Sequence, residues 1–161
     1  MVILGIDPGS RITGWGVVER HGNRNAYLAS GALKLGAADA LPERLLRLSR
    51  ALEALANDHR PDACAVEKIF SAKNARSALV LGHARGVVLC AMAGRGIALH
   101  EYNPTQIKQA VVGAGRAEKG QVQRMVAMLL GRPATLQEDE ADALAVALTH
   151  AAFSNLADRL A

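Results

Sequence analysis

At 161 residues, half of them apolar, the chain has the length of one domain with a sizeable buried core. No run of roughly 18 uncharged apolar residues occurs, and the apolar start is too short for a signal peptide, so a cytoplasmic protein with no membrane segment is expected. The balance of 19 Lys and Arg against 15 Asp and Glu, net +4, suits a polyanionic partner without requiring one.

The first elements read as an antiparallel meander. Residues 2–7 form an apolar run with no alternation, the pattern of a central strand buried on both faces. Turn chemistry follows from Pro8 to Gly14, a second strand is predicted over 15–20, and a third over 26–35 after the polar turn at 21–25. Leu41, Leu45, Leu48, Leu52 and Leu55 then recur at helical spacing with charged residues between them. Pro61 and Asp62 lead into a fourth strand over 63–66, followed by a long helix over 74–93 and a fifth strand over 97–102. Asn103 and Pro104 open a short helix in the cap-plus-proline pattern, and two more helices are predicted over 118–130 and 138–156. The result is an α/β fold: a five-stranded mixed sheet, meander plus parallel strands, with helices on both faces. Right-handed crossovers put the fourth strand beside the first, so that their C-terminal ends share one edge of the sheet. Cys64 and Cys90 lie in apolar runs with no partner at ligand spacing and read as reduced core residues.

That shared edge is where carboxylates fall. The first strand stops at Asp7 and the fourth at Glu67, while Asp139 and Asp142, three apart, share one face at the start of the last helix. Each has a plainer reading: an Asx-turn for Asp7, and helix-dipole complementation for the acids of a first turn. Together they describe a cluster that would repel itself unless a cation sat within it. Hard oxygen ligands select Mg²⁺ or Mn²⁺ over zinc, and two such ions are the apparatus of phosphodiester hydrolysis. Mg²⁺ is the expected cofactor, with Mn²⁺ able to substitute. Setting the four acids aside leaves 19 basic against 11 acidic residues, a surface of +8. No Ser-His-Asp or Cys-His set competes, and no nucleotide-binding glycine fingerprint is complete.

The motifs carry a resemblance over nearly the whole chain. Gly5-Ile6-Asp7-Pro8-Gly9, Thr13-Gly14-Trp15-Gly16, Glu67-Lys68-Ile69-Phe70, Lys73-Asn74-Ala75, Leu81-Gly82-His83-Ala84-Arg85-Gly86, Tyr102-Asn103-Pro104, Ala117-Glu118-Lys119 and Asp139-Glu140-Ala141-Asp142 closely resemble the RuvC family of Holliday-junction resolvases. The resemblance implies a single ribonuclease-H-like nuclease domain over 1–161, acting as a homodimer on the DNA four-way junction. It also implies Mg²⁺-dependent paired nicks, and a partnership with a branch-migration helicase complex of the RuvA-RuvB type. The catalytic and metal-holding acids would be Asp7, Glu67, Asp139 and Asp142. Lys108 and Lys119 correspond to basic residues near the site, and Phe70 to an aromatic that stacks on bases at the crossover.

The residues themselves make several of these roles sensible. Phe70 follows no strand or helix period and sits in a polar loop, as a stacking wedge would, although an aromatic plugging the core beneath a loop would look the same. Lys73 and Arg76, with Lys108 and Lys119, lie on loops or helix starts near the sheet edge, where each suits a phosphate contact or plain solvation. The helix over 74–93 is apolar nearly all round, and Gly82 and Gly86, with Leu89 farther along, make a dimer seam or else a deeply buried helix. The phosphate loop of actin-like ATPases also begins like residues 5–10, but such enzymes need two domains to close on a nucleotide. A junction-binding module without catalysis is the other alternative.

Overall fold

Strand β1 (Val2–Asp7) is covered on both faces and paired on both sides, as its unbroken apolar run requires. It runs antiparallel to β2 (Ile12–His21), which pairs in turn with β3 (Arg24–Lys34), and parallel to β4 (Ala63–Glu67), which pairs with β5 (Ala98–Tyr102). The sheet order is β3-β2-β1-β4-β5, the mixed five-stranded sheet expected from the sequence. The computed structural model describes residues 1–68, 74–132 and 136–160.

Among the described residues, five helices cover the sheet. On one face α1 (Leu41–His59) and α2 (Ala75–Ala93) bury Leu48, Leu52, Ala56, Ala84, Val88 and Met92 against Leu4, Ile6, Cys64 and Val66. On the other, α5 (Glu138–Leu160) lies along β1 and β2, flanked by α3 (Pro104–Val112) and α4 (Lys119–Leu129). Alternation along a strand decides which side chains meet which helices. Leu4 and Ile6 belong to the first core, so Ile3, Gly5 and Asp7 face α5. On β4, Cys64 and Val66 likewise leave Ala65 and Glu67 on the α5 side. Asp7 and Glu67 therefore end adjacent parallel strands and point to the same face.

The helix sits unusually close to the sheet. A Cβ on Gly5 would lie 2.1 Å from the Ala143 carbonyl oxygen and 2.7 Å from the Ala147 nitrogen. One on Gly14 would lie 2.0 Å from the Asp139 carbonyl oxygen. Real side chains never approach so closely, so glycine at these places is what lets α5 descend onto β1 and β2.

The element boundaries depart from expectation where pairing overrides local turn chemistry. β2 starts at Ile12 rather than Trp15, because the ladder with β3 continues through Gly14↔Ala32 and Thr13↔Leu33. Thr13 is fully buried, and its hydroxyl donates to the Gly9 carbonyl at 3.2 Å and accepts from the Gly9 N–H at 3.3 Å. α5 continues to Leu160, four residues beyond the predicted end. Of the two cysteines, only Cys64 is a core residue, its thiol pushed up to about 12 by burial. Cys90 is exposed, because it lies on the side of α2 turned away from the sheet.

Candidate active site

The C-terminal edge of β1, β4 and β5 opens into a cleft of about 280 Å³. Asp7, Glu67 and Asp142 line it together with Lys108 and Lys119, over a floor of Pro104, Ile107, Val122 and Ala145. Each polar group arrives by a different route. Asp7 and Glu67 come from the strand ends, Asp142 from the second turn of α5, Lys108 from α3 and Lys119 from the first residue of α4. Asn103 caps α3, accepting from the Gln106 N–H at 2.8 Å while Gln106 reciprocates at 2.9 Å, which fixes where that helix starts beside β5. The Lys68 N–H donates to the Tyr102 carbonyl at 2.8 Å, tying the chain after Glu67 to the same edge.

The electrostatics are those of a cluster short of positive charge. Burial and the neighbouring Asp142 carboxylate raise Asp7 from 3.8 to about 6, against the opposing pull of Lys119. Burial and the Asp7 charge raise Glu67 from 4.5 to about 7, with Asp142 adding to the rise. The two side chains are hydrogen-bonded to each other, favouring the proton on Glu67 and the charge on Asp7. Asp142 is also raised by burial, although its hydrogen bond from Lys119, at 2.7 Å, pulls the other way. Lys119 bridges to the Glu138 carboxylate as well. Burial works against the Lys119 charge, but its hydrogen bonds to Asp142 and Glu138 outweigh burial and hold the ammonium above its usual range.

Among the described residues, no three His, Cys, Asp or Glu side chains stand ready-made as a metal-ligand group. The Lys119 ammonium, 2.7 Å from Asp142, is the cation at these carboxylates, and burial together with the neighbouring carboxylates makes Asp7 and Glu67 hold protons more readily than free carboxyls do. The donor set nevertheless suits a hard divalent cation: carboxylate oxygens at the end of a shared cleft, each raised in the direction that a cation would reverse.

Of the expected acids, three meet in the cleft and one stands beside it. Asp139 is half-buried on α5 with its backbone over Gly14 and does not line the cleft, yet its charge raises both Asp7 and Asp142. Lys108 and Lys119 are lining residues, whereas Arg76 is exposed in the first turn of α2. Phe70 and Lys73 lie outside the described residues. Gly82 and Gly86 line an apolar groove of about 900 Å³ along α2, with open space beyond both. Leu89 is not part of that lining and packs, half-buried, against the sheet core. Glu138 was legible only as a helix-dipole acid. Its separation of four residues from Asp142, which puts both on one helix face, was the available sign of a shared partner.

Comparison with known proteins agrees along the whole chain. Residues 3–150 match the family model described as crossover junction endodeoxyribonuclease RuvC. A protein of that name from Citrifermentans bemidjiense is 51% identical over 151 residues, covering 94% of this chain and 92% of its own. Another from Geotalea uraniireducens is 50% identical over 160 residues, covering 99% and 94%. The structure of T. thermophilus RuvC in complex with Holliday junction substrate superposes with a TM-score of 0.92 at 36% identity, covering 98% of this chain and 96% of that one. The fold is accordingly the ribonuclease-H-like fold of those structures. By sequence and by structure, this chain belongs to the RuvC family of crossover junction endodeoxyribonucleases.

Proposed function

We propose that the chain resolves four-way DNA junctions by paired, symmetric nicks in homologous recombination and repair, with the whole of residues 1–161 acting as one nuclease domain. The observation that carries this reading is the meeting of Asp7, Glu67 and Asp142 with Lys108 and Lys119 in one cleft. Family membership brings dependence on a divalent metal, the all-oxygen donor set suits a hard cation, and in this reading it is Mg²⁺, two per site, with Mn²⁺ able to substitute. Asp7, Glu67 and Asp142 would hold the cations, and Asp139 would serve from the rim, through its charge or by turning inward. When bound, such a cation supplies Lewis acidity at the phosphate and makes water acidic enough to attack at neutral pH.

The remaining work falls to the chain itself. Lys108 and Lys119 flank the carboxylates and would hold the scissile phosphate while stabilising the charge that builds on its oxygens. Lys73 and Arg76 would contact phosphates farther along, and Phe70 would stack on an unpaired base at the crossover. Two copies are needed for two nicks, and the exposed apolar groove of α2 around Gly82 and Gly86 is the surface for a two-fold partner, with Leu89 supporting it from beneath. By length and composition α2 could also cross a membrane. Against this, Arg85 at its centre is held by Glu101 of β5 through two hydrogen bonds of 2.7 and 2.8 Å, and its buried residues pack on the sheet. In this reading the chain is a cytoplasmic homodimer handed junctions by a helicase complex of the RuvA-RuvB type.

The test is a nicking assay on a synthetic four-way junction with Mg²⁺, with Ca²⁺ and with no metal. Nicks only with Mg²⁺, lost in Asp7→Asn while junction binding stays within a few-fold, are expected. Normal cleavage by that variant would end the catalytic assignment.

A further inference from the structure

Lys119 is the first residue of α4, directly after the N-cap residue Glu118. The ammonium is kept there by two carboxylates of another helix, Asp142 at 2.7 Å and Glu138. These acids are four residues apart on one face of α5, so a single ammonium spans both. They differ in every other respect. Asp142 is largely buried in the cleft, whereas Glu138 is 64% exposed at the outer end of the helix. Only Asp142 is among the residues that would hold a metal, and while Lys119 is hydrogen-bonded to it, ammonium and cation compete for the same carboxylate.

We propose that Glu138 is a positioning residue for Lys119, an outer partner that retains the ammonium at the flank of the cleft when a divalent cation takes Asp142. The inference rests on the metal-binding reading of the cleft. With Glu138 present, cation binding exchanges one of two ion pairs and keeps the other. Without it, the Lys119 ammonium would be left beside the cation with neither of its two ion-pair partners. Glu138 thus makes the cleft easier to load and keeps the lysine within reach of the phosphate. A mere helix-dipole role for Glu138 would be indifferent to Lys119, and a through-space effect of its charge on the metal would persist without the lysine.

A double-mutant cycle separates these cases, with Mn²⁺ affinity of the DNA-free protein as the readout, measured by the electron paramagnetic resonance signal of free Mn²⁺. Both side chains are exposed, so the variants should keep the fold. Glu138→Gln is expected to weaken Mn²⁺ binding about two- to fivefold, the range of an exposed ion pair, and to have almost no effect in a Lys119→Met background. An equal loss in both backgrounds, or none in either, would overturn the positioning role while leaving the metal site standing. Failure of the unsubstituted chain to bind Mn²⁺ at all would overturn the metal reading, and this inference with it.

Discussion

Asp7 and Glu67 illustrate how a single proton reports on a site. Both carboxyls are raised in the folded chain, so the folded state holds protons that the unfolded state has already released. Their contribution to stability is complete below about pH 4 and is lost as pH climbs through about 6 and 7, the folded values. His150 acts in the opposite sense. Burial, with His100 and Arg20 nearby, lowers it to about 4, so its contribution is lost as pH falls from 6.5 toward that value. Above about pH 6.5 the acids therefore govern. The thermal midpoint of the metal-free protein should fall by several degrees between about pH 6.5 and about pH 8, since a kcal/mol moves a domain of this size by ~2–4 °C. Asp7→Asn should lessen that fall without removing it, because burial, the larger cause of the Glu67 shift, remains when the Asp7 charge is gone. Excess Mg²⁺ should cancel it by binding the deprotonated form. A midpoint flat over this range without metal, measured by calorimetry, would mean that the two carboxyls do not share a proton.

At the level of elements, α5 sets the geometry of the cleft, and its position depends on the absence of side chains beneath it. The clash that Gly5→Ala would create is with backbone atoms of Ala143 and Ala147, which cannot rotate away. Such overpacking costs about 1–3 kcal/mol and lifts the helix that carries Asp142. A displacement of about 1 Å at reacting groups can reduce a rate a hundredfold. The variant should lose several degrees in thermal midpoint and at least tenfold in nicking, with junction binding little changed. Unaltered nicking would show that Asp142 is not positioned by this contact. Part of this arrangement is legible in the sequence. The strand-end acids, the order of elements and the cap at Asn103 follow from local pattern and from the handedness of crossovers. The role of Gly5 was hidden, because a glycine in a strand does not say which helix approaches it. The rim position of Asp139 was hidden for a related reason. Spacing places two residues on one helix face, but only the rotation of the helix on the sheet decides which one enters the cleft. The exposure of Cys90 is hidden on the same ground, since an apolar run around a helix does not reveal which side the sheet covers.

For the whole molecule the question is what covers α2. Leu79 is 67% exposed, and the groove it shares with Ala78, Gly82, Gly86 and Cys90 is almost wholly apolar, an expensive surface to leave in water. Its two glycines have open space above them, so a second backbone can approach closely. A two-fold partner seated there would also supply the second cleft that paired nicks demand. Leu79→Glu introduces a charge at the centre of that surface without touching the monomer core, since the buried residues of the helix are Ala84, Val88 and Met92. The variant should therefore fold with an unchanged thermal midpoint but sediment as a monomer. On a four-way junction it should release singly nicked products, because two independent monomers no longer cut in concert. If it sediments at the same mass as the unsubstituted chain and still produces paired nicks, the dimer is built on some other surface, and the apolar face of α2 must be kept for a different partner.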